Sequence, residues 1–135
     1  MSITDESNGN FRYIPVGPLG IIATQGSKEL SEMINSHIVK RRREFFKNHP
    51  EKVTAEGFIK NSFLISTECI RFATGEGKAK ITESVRGHDI FILSDPGNYS
   101  CKYKLFGMEH PMSPDDHFQD IKRVISAIGG KARRI

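Results

Sequence analysis

The run Glu83-Ser84-Val85-Arg86-Gly87-His88-Asp89-Ile90-Phe91-Ile92-Leu93 constrains the fold of this chain more than any other stretch. A polar turn carrying a hydroxyl, a guanidinium and a glycine leads directly into a short strand that is apolar on both faces. Such a strand belongs to the middle of a parallel sheet covered by helices. Gly87 permits a tight turn, and the Ser84 hydroxyl and Arg86 guanidinium are donors suited to a phosphate oxygen. No Gly-rich phosphate loop accompanies them. The residues by themselves therefore favour a connecting turn in which Arg86 pairs with Glu83 at the surface.

The surrounding chain supplies partners for a sheet of that kind. Leu19-Gly20-Ile21-Ile22-Ala23-Thr24 reads as a first buried strand, and Gly26-Ser27 as a turn with Ser27 as the N-cap of a helix. Leu30, Met33, Ile34, His37 and Ile38 recur at helical spacing and predict an amphipathic helix, with His37 at the edge of the core. The helix runs on through Lys40-Arg41-Arg42-Arg43 until Asn48-His49-Pro50 stops it. That basic run reads as a solvated last turn beside the helix C-terminus, not as a nucleic-acid patch, because no stacking aromatics interleave it.

Residues 48–61 read as a polar loop. Residues 62–66 and 69–72 are strand-like, Thr74-Gly75-Glu76-Gly77 is a hairpin turn, and 78–82 is the returning strand. After the Ile90–Leu93 strand, Ser94-Asp95-Pro96-Gly97-Asn98 forms a turn at the carboxyl end of the sheet, the side where open α/β sheets bind ligands.

Ser113-Pro114-Asp115-Asp116 then opens a second helix with a hydroxyl cap, proline at the first position and carboxylates in the first turn. Phe118, Ile121, Val124, Ile125 and Ile128 form its expected buried stripe, and Gly129-Gly130 ends it. Capping and solvation account for His110, Asp115, Asp116 and His117, so no metal site is expected there. Lys131-Ala132-Arg133-Arg134-Ile135 leads toward a further strand. The expected fold is α/β, a three-layer sandwich with a mostly parallel sheet, incomplete at the C-terminus. An extended arm is expected over residues 1–18, kept out of helix by Pro15 and Pro18.

A chain of 135 residues with 37% hydrophobic and 27% charged residues fits one soluble domain. The net charge of +4 suits anionic partners such as phosphorylated metabolites. Cys69 and Cys101 have neither CxxC nor metal-ligand spacing, which points to reduced thiols in a cytoplasm. The first ten residues lack the pattern of a secretory signal, and no apolar run approaches the roughly 20 residues of a membrane helix.

Three stretches resemble the N-terminal domain of the ribose-phosphate pyrophosphokinases, also called phosphoribosyl pyrophosphate synthetases. Arg71-Phe72-Ala73-Thr74-Gly75-Glu76 is similar to the family's Arg-Phe-Ser-Asp-Gly-Glu loop. Ile81-Thr82-Glu83-Ser84-Val85-Arg86-Gly87-His88-Asp89-Ile90-Phe91-Ile92 closely follows its Ile-Asn-Glu-Ser-Val-Arg-Gly-Lys-Asp-Val-Phe-Ile signature. Asp115-Asp116-His117-Phe118 through Ala132-Arg133-Arg134-Ile135 occupies the place of its Asn-Asp-Asn-Leu helix and following Ala-Lys-Arg-Ile. The likeness covers most of residues 19–135, with a longer connection around residues 39–61.

The resemblance implies an enzyme that moves the β,γ-diphosphoryl group of ATP to the 1-hydroxyl of ribose 5-phosphate, using magnesium and releasing AMP. It implies dimers and hexamers, either of this chain or with a full-length family subunit. Phe72, Thr74 and Glu76 would carry the nucleotide contact, with Thr74 replacing an acidic or amide residue and so weakening the contact to the adenine amino group. Ser84 and Arg86 would carry a regulatory phosphate or ADP site. The family's catalytic and metal-binding motifs have no counterpart here, so no catalytic residue is assigned. The chain is expected to be a fragment of such an enzyme, inactive alone and, with an unpaired sheet edge, prone to self-associate. The alternative is a non-catalytic module that binds nucleotide or phosphate, or joins full-length subunits.

Overall fold

The apolar run and the first strand meet as expected. In the computed structural model, which describes residues 15–135, β1 (Leu19–Ala23) and β4 (Asp89–Leu93) pair in parallel, with Leu19 opposite Asp89 and Ala23 opposite Leu93. Two further segments extend this sheet by single parallel bridges, Leu64 beside Ile21 and Arg134 beside Asp89. The Ile21 N–H donates to Phe63 O at 2.8 Å, and the Ile90 N–H donates to Arg134 O at 2.9 Å. Both β1 and β4 are thus interior to a four-segment parallel sheet. Residues 62–66 join it through one bridge instead of a full strand, and residues 131–135 do lie along β4. Most of the expected N-terminal arm falls outside the described residues. Of residues 15–18, Gly17 lies against the backbone of Gly87, where a Cβ would come within 2.3 Å of the carbonyl oxygen.

Between the Leu64 segment and β4 the chain makes an antiparallel hairpin, β2 (Thr67–Arg71) and β3 (Gly77–Ile81). A second hairpin, β5 (Lys102–Leu105) and β6 (Met108–Pro111), follows β4. Its two-residue turn places Phe106 at φ 50° and Gly107 at φ 80°, the positive pair that a tight right-twisting hairpin turn requires.

α1 (Lys28–Asn48) packs on β1, and α2 (Pro114–Ile128) packs on the β2–β3 hairpin. The core joins Ile22 and Ile90 of the parallel sheet to Ile65, Ala79 of β3, Val85, and Val124 and Ile128 of α2. Ile22, Ile90, Val124 and Ile128 are at most 2% exposed, and burial of each stabilises the fold by roughly 1.5–3 kcal/mol. The result is an α/β fold on a small parallel sheet.

The faces of both helices differ from the sequence expectation. On α1, Leu30 and Met33 are exposed and His37 lies at the surface, whereas Ser31 and Asn35 are buried. Polar anchors set this orientation. The Ser31 hydroxyl donates to Ser27 O at 2.6 Å, and Asn35 Oδ1 accepts from the Phe63 N–H at 2.7 Å. Ser27 occupies the N-cap position, but its hydroxyl donates to Leu93 O at 2.6 Å instead of capping the helix.

On α2, Phe118 and Ile125 are exposed, while His117 and Asp120 turn inward beside Val124 and Ile128. Asp120 is drawn in by Arg123, whose Nη1 donates to Oδ1 at 2.6 Å. His117 is buried, not solvated, with Nε2 at 3.1 Å from Asn98 O. On β4, Phe91 is half exposed, so that face of the strand is covered only in part.

The basic run is also not a last turn, because α1 continues beyond it to Asn48. Arg42 lies between two rings, 4.5 Å from the centroid of Phe58 and 4.7 Å from that of Phe63. Arg43 donates to Asn61 Oδ1 at 2.7 Å. Two of the four cations therefore fasten the 58–63 segment to the helix.

Candidate functional site

The carboxyl end of β1 and β4 is where the topology places a ligand crevice. Here the chain fills it. The Thr24 hydroxyl donates to Ser94 Oγ at 3.0 Å, Ser27 reaches Leu93 O, and Asn98 Nδ2 donates to Gly26 O at 3.2 Å. A Cβ on Gly26 would lie 3.2 Å from both Asn98 Cβ and Asp95 O, so the two loops are in direct contact. The Ser94–Asn98 turn thus closes the crevice between β1 and β4, while a cavity of about 380 Å³ stays open beside the end of β1, lined by Thr24, Gln25, Lys28 and residues 67–70.

The turn before β4 is different. Val85 is buried in the core, and it pins a loop whose neighbours Ser84 and Arg86 are both exposed. Gly87 takes φ 73°, which a residue with a side chain rarely adopts, and its N–H donates to Lys131 O at 3.0 Å. The His88 N–H closes the turn onto Val85 O at 3.1 Å. The surface pair expected between Arg86 and Glu83 does not form, because Glu83 Oε1 instead accepts from the Ser66 N–H at 3.0 Å. Arg86 takes part in no ion pair among the described residues. A fixed backbone therefore presents a hydroxyl and an unpaired guanidinium to solvent on the same turn, a donor set for an oxyanion.

Phe72, Thr74 and Glu76 lie at the tip of the β2–β3 hairpin, all exposed. The tip is closed by the Phe72 N–H donating to Glu76 O at 2.8 Å and the Gly75 N–H donating to Phe72 O at 2.9 Å. It offers one aromatic face, one carboxylate and a hydroxyl. The tip and the Ser84–Arg86 turn stand at opposite ends of β3, which at five residues separates them by about 15 Å. The structure does not bring the two sets together within one copy.

Arg71, at the base of the tip, was not singled out in the sequence. Its Nη1 donates to Gly75 O at 3.2 Å, its Nη2 pairs with Asp116 Oδ1 at 3.2 Å, and its Cζ lies 4.4 Å over the Tyr103 ring. Asp116 completes the capping box of α2, accepting from the Ser113 N–H and hydroxyl at 2.9 Å each. Burial pushes the Asp116 carboxyl up, but the bonds from Ser113 and Arg71 outweigh it and hold the group below its usual value.

Cys69, on β2, is partly covered. Burial, with the Asp120 carboxylate adding to it, pushes its thiol up to about 11, so it is not a reactive nucleophile. No cluster of three His, Cys, Asp or Glu side chains among the described residues is arranged to hold a metal ion. The described residues offer no donor set that fits magnesium.

An α/β domain with an exposed hydroxyl-and-guanidinium turn ahead of an interior parallel strand, and an aromatic-acidic hairpin tip, is the class this geometry defines. The family model for the N-terminal domain of ribose phosphate pyrophosphokinase matches residues 19–135, and the chain belongs to that family. No curated protein and no solved structure matches the chain. No helix among the described residues is long and apolar enough to cross a membrane.

Proposed function

We propose that this chain serves a ribose-phosphate pyrophosphokinase of the cytoplasm, supplying contacts to nucleotide and phosphate. The enzyme transfers diphosphate from ATP to ribose 5-phosphate for nucleotide biosynthesis. In this reading Ser84 and Arg86 bind a regulatory phosphate, either inorganic or the terminal group of ADP. Phe72, Thr74 and Glu76 reach toward an adenine nucleotide. In this reading magnesium and the groups that stabilise charge at the transferring phosphorus are supplied by other residues.

The observation that carries the reading is the turn itself. Val85 and Gly87 are committed to the fold, while the two side chains between and beside them, Ser84 and Arg86, are left facing solvent within the matched family segment. The roughly 15 Å between turn and tip suits two separate ligands, a phosphate at one and a nucleotide at the other, with other copies or full-length subunits completing each.

Calorimetric titration with inorganic phosphate and with ADP tests the assignment. Arg86→Ala removes a charge-assisted donor from the surface and should weaken both by about tenfold or more while leaving the melting temperature unchanged. Unaltered affinity retires the phosphate site. Residues 1–135 alone should make no phosphoribosyl pyrophosphate, and EDTA-sensitive turnover by them would overturn the assignment of the chemistry to other residues.

A further inference from the structure

The nucleotide tip does not stand alone. Besides its own hairpin bonds, it is held from the side by β5–β6 and from below by the start of α2. Gly75, at φ 89°, turns its bare face toward β5, and a Cβ there would lie 3.5 Å from Leu105 Cδ1. The Tyr103 ring under Arg71 is in turn backed by the ring of its cross-strand partner His110, centroids 5.7 Å apart and 27° from parallel. Asp116, the other partner of Arg71, is fixed by Ser113. One largely buried guanidinium therefore joins the Gly75 carbonyl to two separately anchored groups.

We propose that Arg71 is the positioning residue of the nucleotide loop, and that the β5–β6 hairpin sets the loop's affinity through Tyr103 without touching the ligand. The proposal rests on the reading of Phe72, Thr74 and Glu76 as the nucleotide contacts. Three features of the chemistry support it. A guanidinium can donate in its plane while stacking on a ring, which a lysine cannot do. A tip held in place before ligand arrives loses less freedom on binding. Thr74 is neutral and short, so the loop depends on placing Phe72 and Glu76 correctly.

The test uses the complete protein and two measurements. One is amide hydrogen exchange at Gly75, whose N–H closes the tip onto Phe72 O. The other is ATP affinity with inorganic phosphate saturating the Ser84–Arg86 turn, so that only the loop's contribution is read. Tyr103→Leu keeps an apolar side chain but loses the ring, and should speed Gly75 exchange and weaken ATP by about three- to tenfold. Tyr103→Phe keeps the ring and should match the parent in both. Arg71→Lys should behave like Tyr103→Leu; if it fails to fold, the two Tyr103 variants decide alone.

Parental exchange and parental affinity in Tyr103→Leu overturn the proposal. So does equal impairment by Tyr103→Phe and Tyr103→Leu, which would place the effect in the hydroxyl. Phe72→Ala separates the two layers of the argument. Unchanged ATP affinity in that variant removes the nucleotide reading and the proposal with it. Weakened affinity there, with Tyr103→Leu silent, removes the positioning role alone.

Discussion

Gly77→Ala is a substitution for which two effects of known sign compete. Gly77 begins β3, and a Cβ there would lie 2.3 Å from Arg123 Cζ and 2.4 Å from Nε. Replacing glycine by alanine in an extended backbone narrows the unfolded ensemble and stabilises by about 0.4–1 kcal/mol. Against this, the guanidinium must leave. It is the mobile end of a long side chain, so its displacement costs little sterically. The cost arises at Asp120, whose side chain is 7% exposed and accepts from Arg123 Nη1 at 2.6 Å. Stranding that carboxylate forfeits a charge-assisted hydrogen bond of about 1.5–3 kcal/mol.

The loss exceeds the gain, so Gly77→Ala should destabilise by about 1–2 kcal/mol, or roughly 3–8 °C in melting temperature for a domain of this size. The decisive assay is a double-mutant cycle by urea and thermal unfolding. In an Arg123→Ala background there is nothing to displace, and the same change should become stabilising by about 0.4–1 kcal/mol. A Gly77→Ala variant that stabilises in both backgrounds, or costs the same in both, refutes the reasoning.

Cys69 should react slowly with a disulfide reagent at pH 8, because a thiol pushed up to about 11 has a thiolate fraction roughly two hundredfold below that of a free cysteine; rapid stoichiometric labelling of Cys69 would contradict this. Asp116→Asn should cost about 1 kcal/mol near neutral pH through the capping box. The folded carboxyl sits below its unfolded value, so its contribution is present above that value and lost as pH falls through the lower one. The stability gap between parent and Asp116→Asn should therefore close in acid, below about pH 4, and a gap independent of pH would count against the assignment. Arg42→Ala should destabilise by about 2 kcal/mol by removing its contacts with Phe58 and Phe63, whereas exposed Arg41→Ala should stay within about 0.5 kcal/mol. Equal effects would restore the view of Lys40–Arg43 as a uniform solvated run.

Local chemistry made much of the fold legible in advance. Ser113, Pro114 and Asp116 mark the start of α2, and Gly129 at φ 59° marks its end, because caps are satisfied by neighbours in sequence. β1 and β4 were legible because apolar β-branched runs have few other fates. Helix faces were not, because polar side chains with distant partners chose them. Asn35 meets Phe63, and His117 meets Asn98, pairs that no periodicity shows. The β5–β6 hairpin was missed for a different reason. Its turn is Phe106-Gly107, without the Asn or Asp that usually announces positive φ at the first position. In the candidate site, resemblance located Ser84, Arg86, Phe72, Thr74 and Glu76, but not their placement at opposite ends of β3. Arg71 was adjacent in sequence to the loop, yet its importance depends on Tyr103 and Asp116, which only folding brings near.

In an open α/β sheet the carboxyl ends of the strands ordinarily leave a gap that a ligand occupies. Here Thr24, Ser27, Ser94 and Asn98 direct their polar groups to one another and to Gly26 and Leu93, which closes the gap between β1 and β4. In the proposed reading the contacts fall at the rim, on a turn at the amino end of β4 and a hairpin tip beyond the sheet. A rim site cannot surround its ligand, so its affinity must come from a backbone already rigid before the ligand arrives, or from surfaces on another subunit. Val85 and Gly87 provide rigidity at the turn, and Arg71 provides it at the tip. Reopening the crevice is therefore a test of the whole arrangement: Asn98→Ala should expose the Gly26 carbonyl and lower stability by about 1 kcal/mol, without creating phosphate affinity and without weakening the binding that depends on Arg86. Loss of that binding in Asn98→Ala would mean that the two ends of the sheet act together, and the separation drawn here between a closed crevice and a working rim would fail.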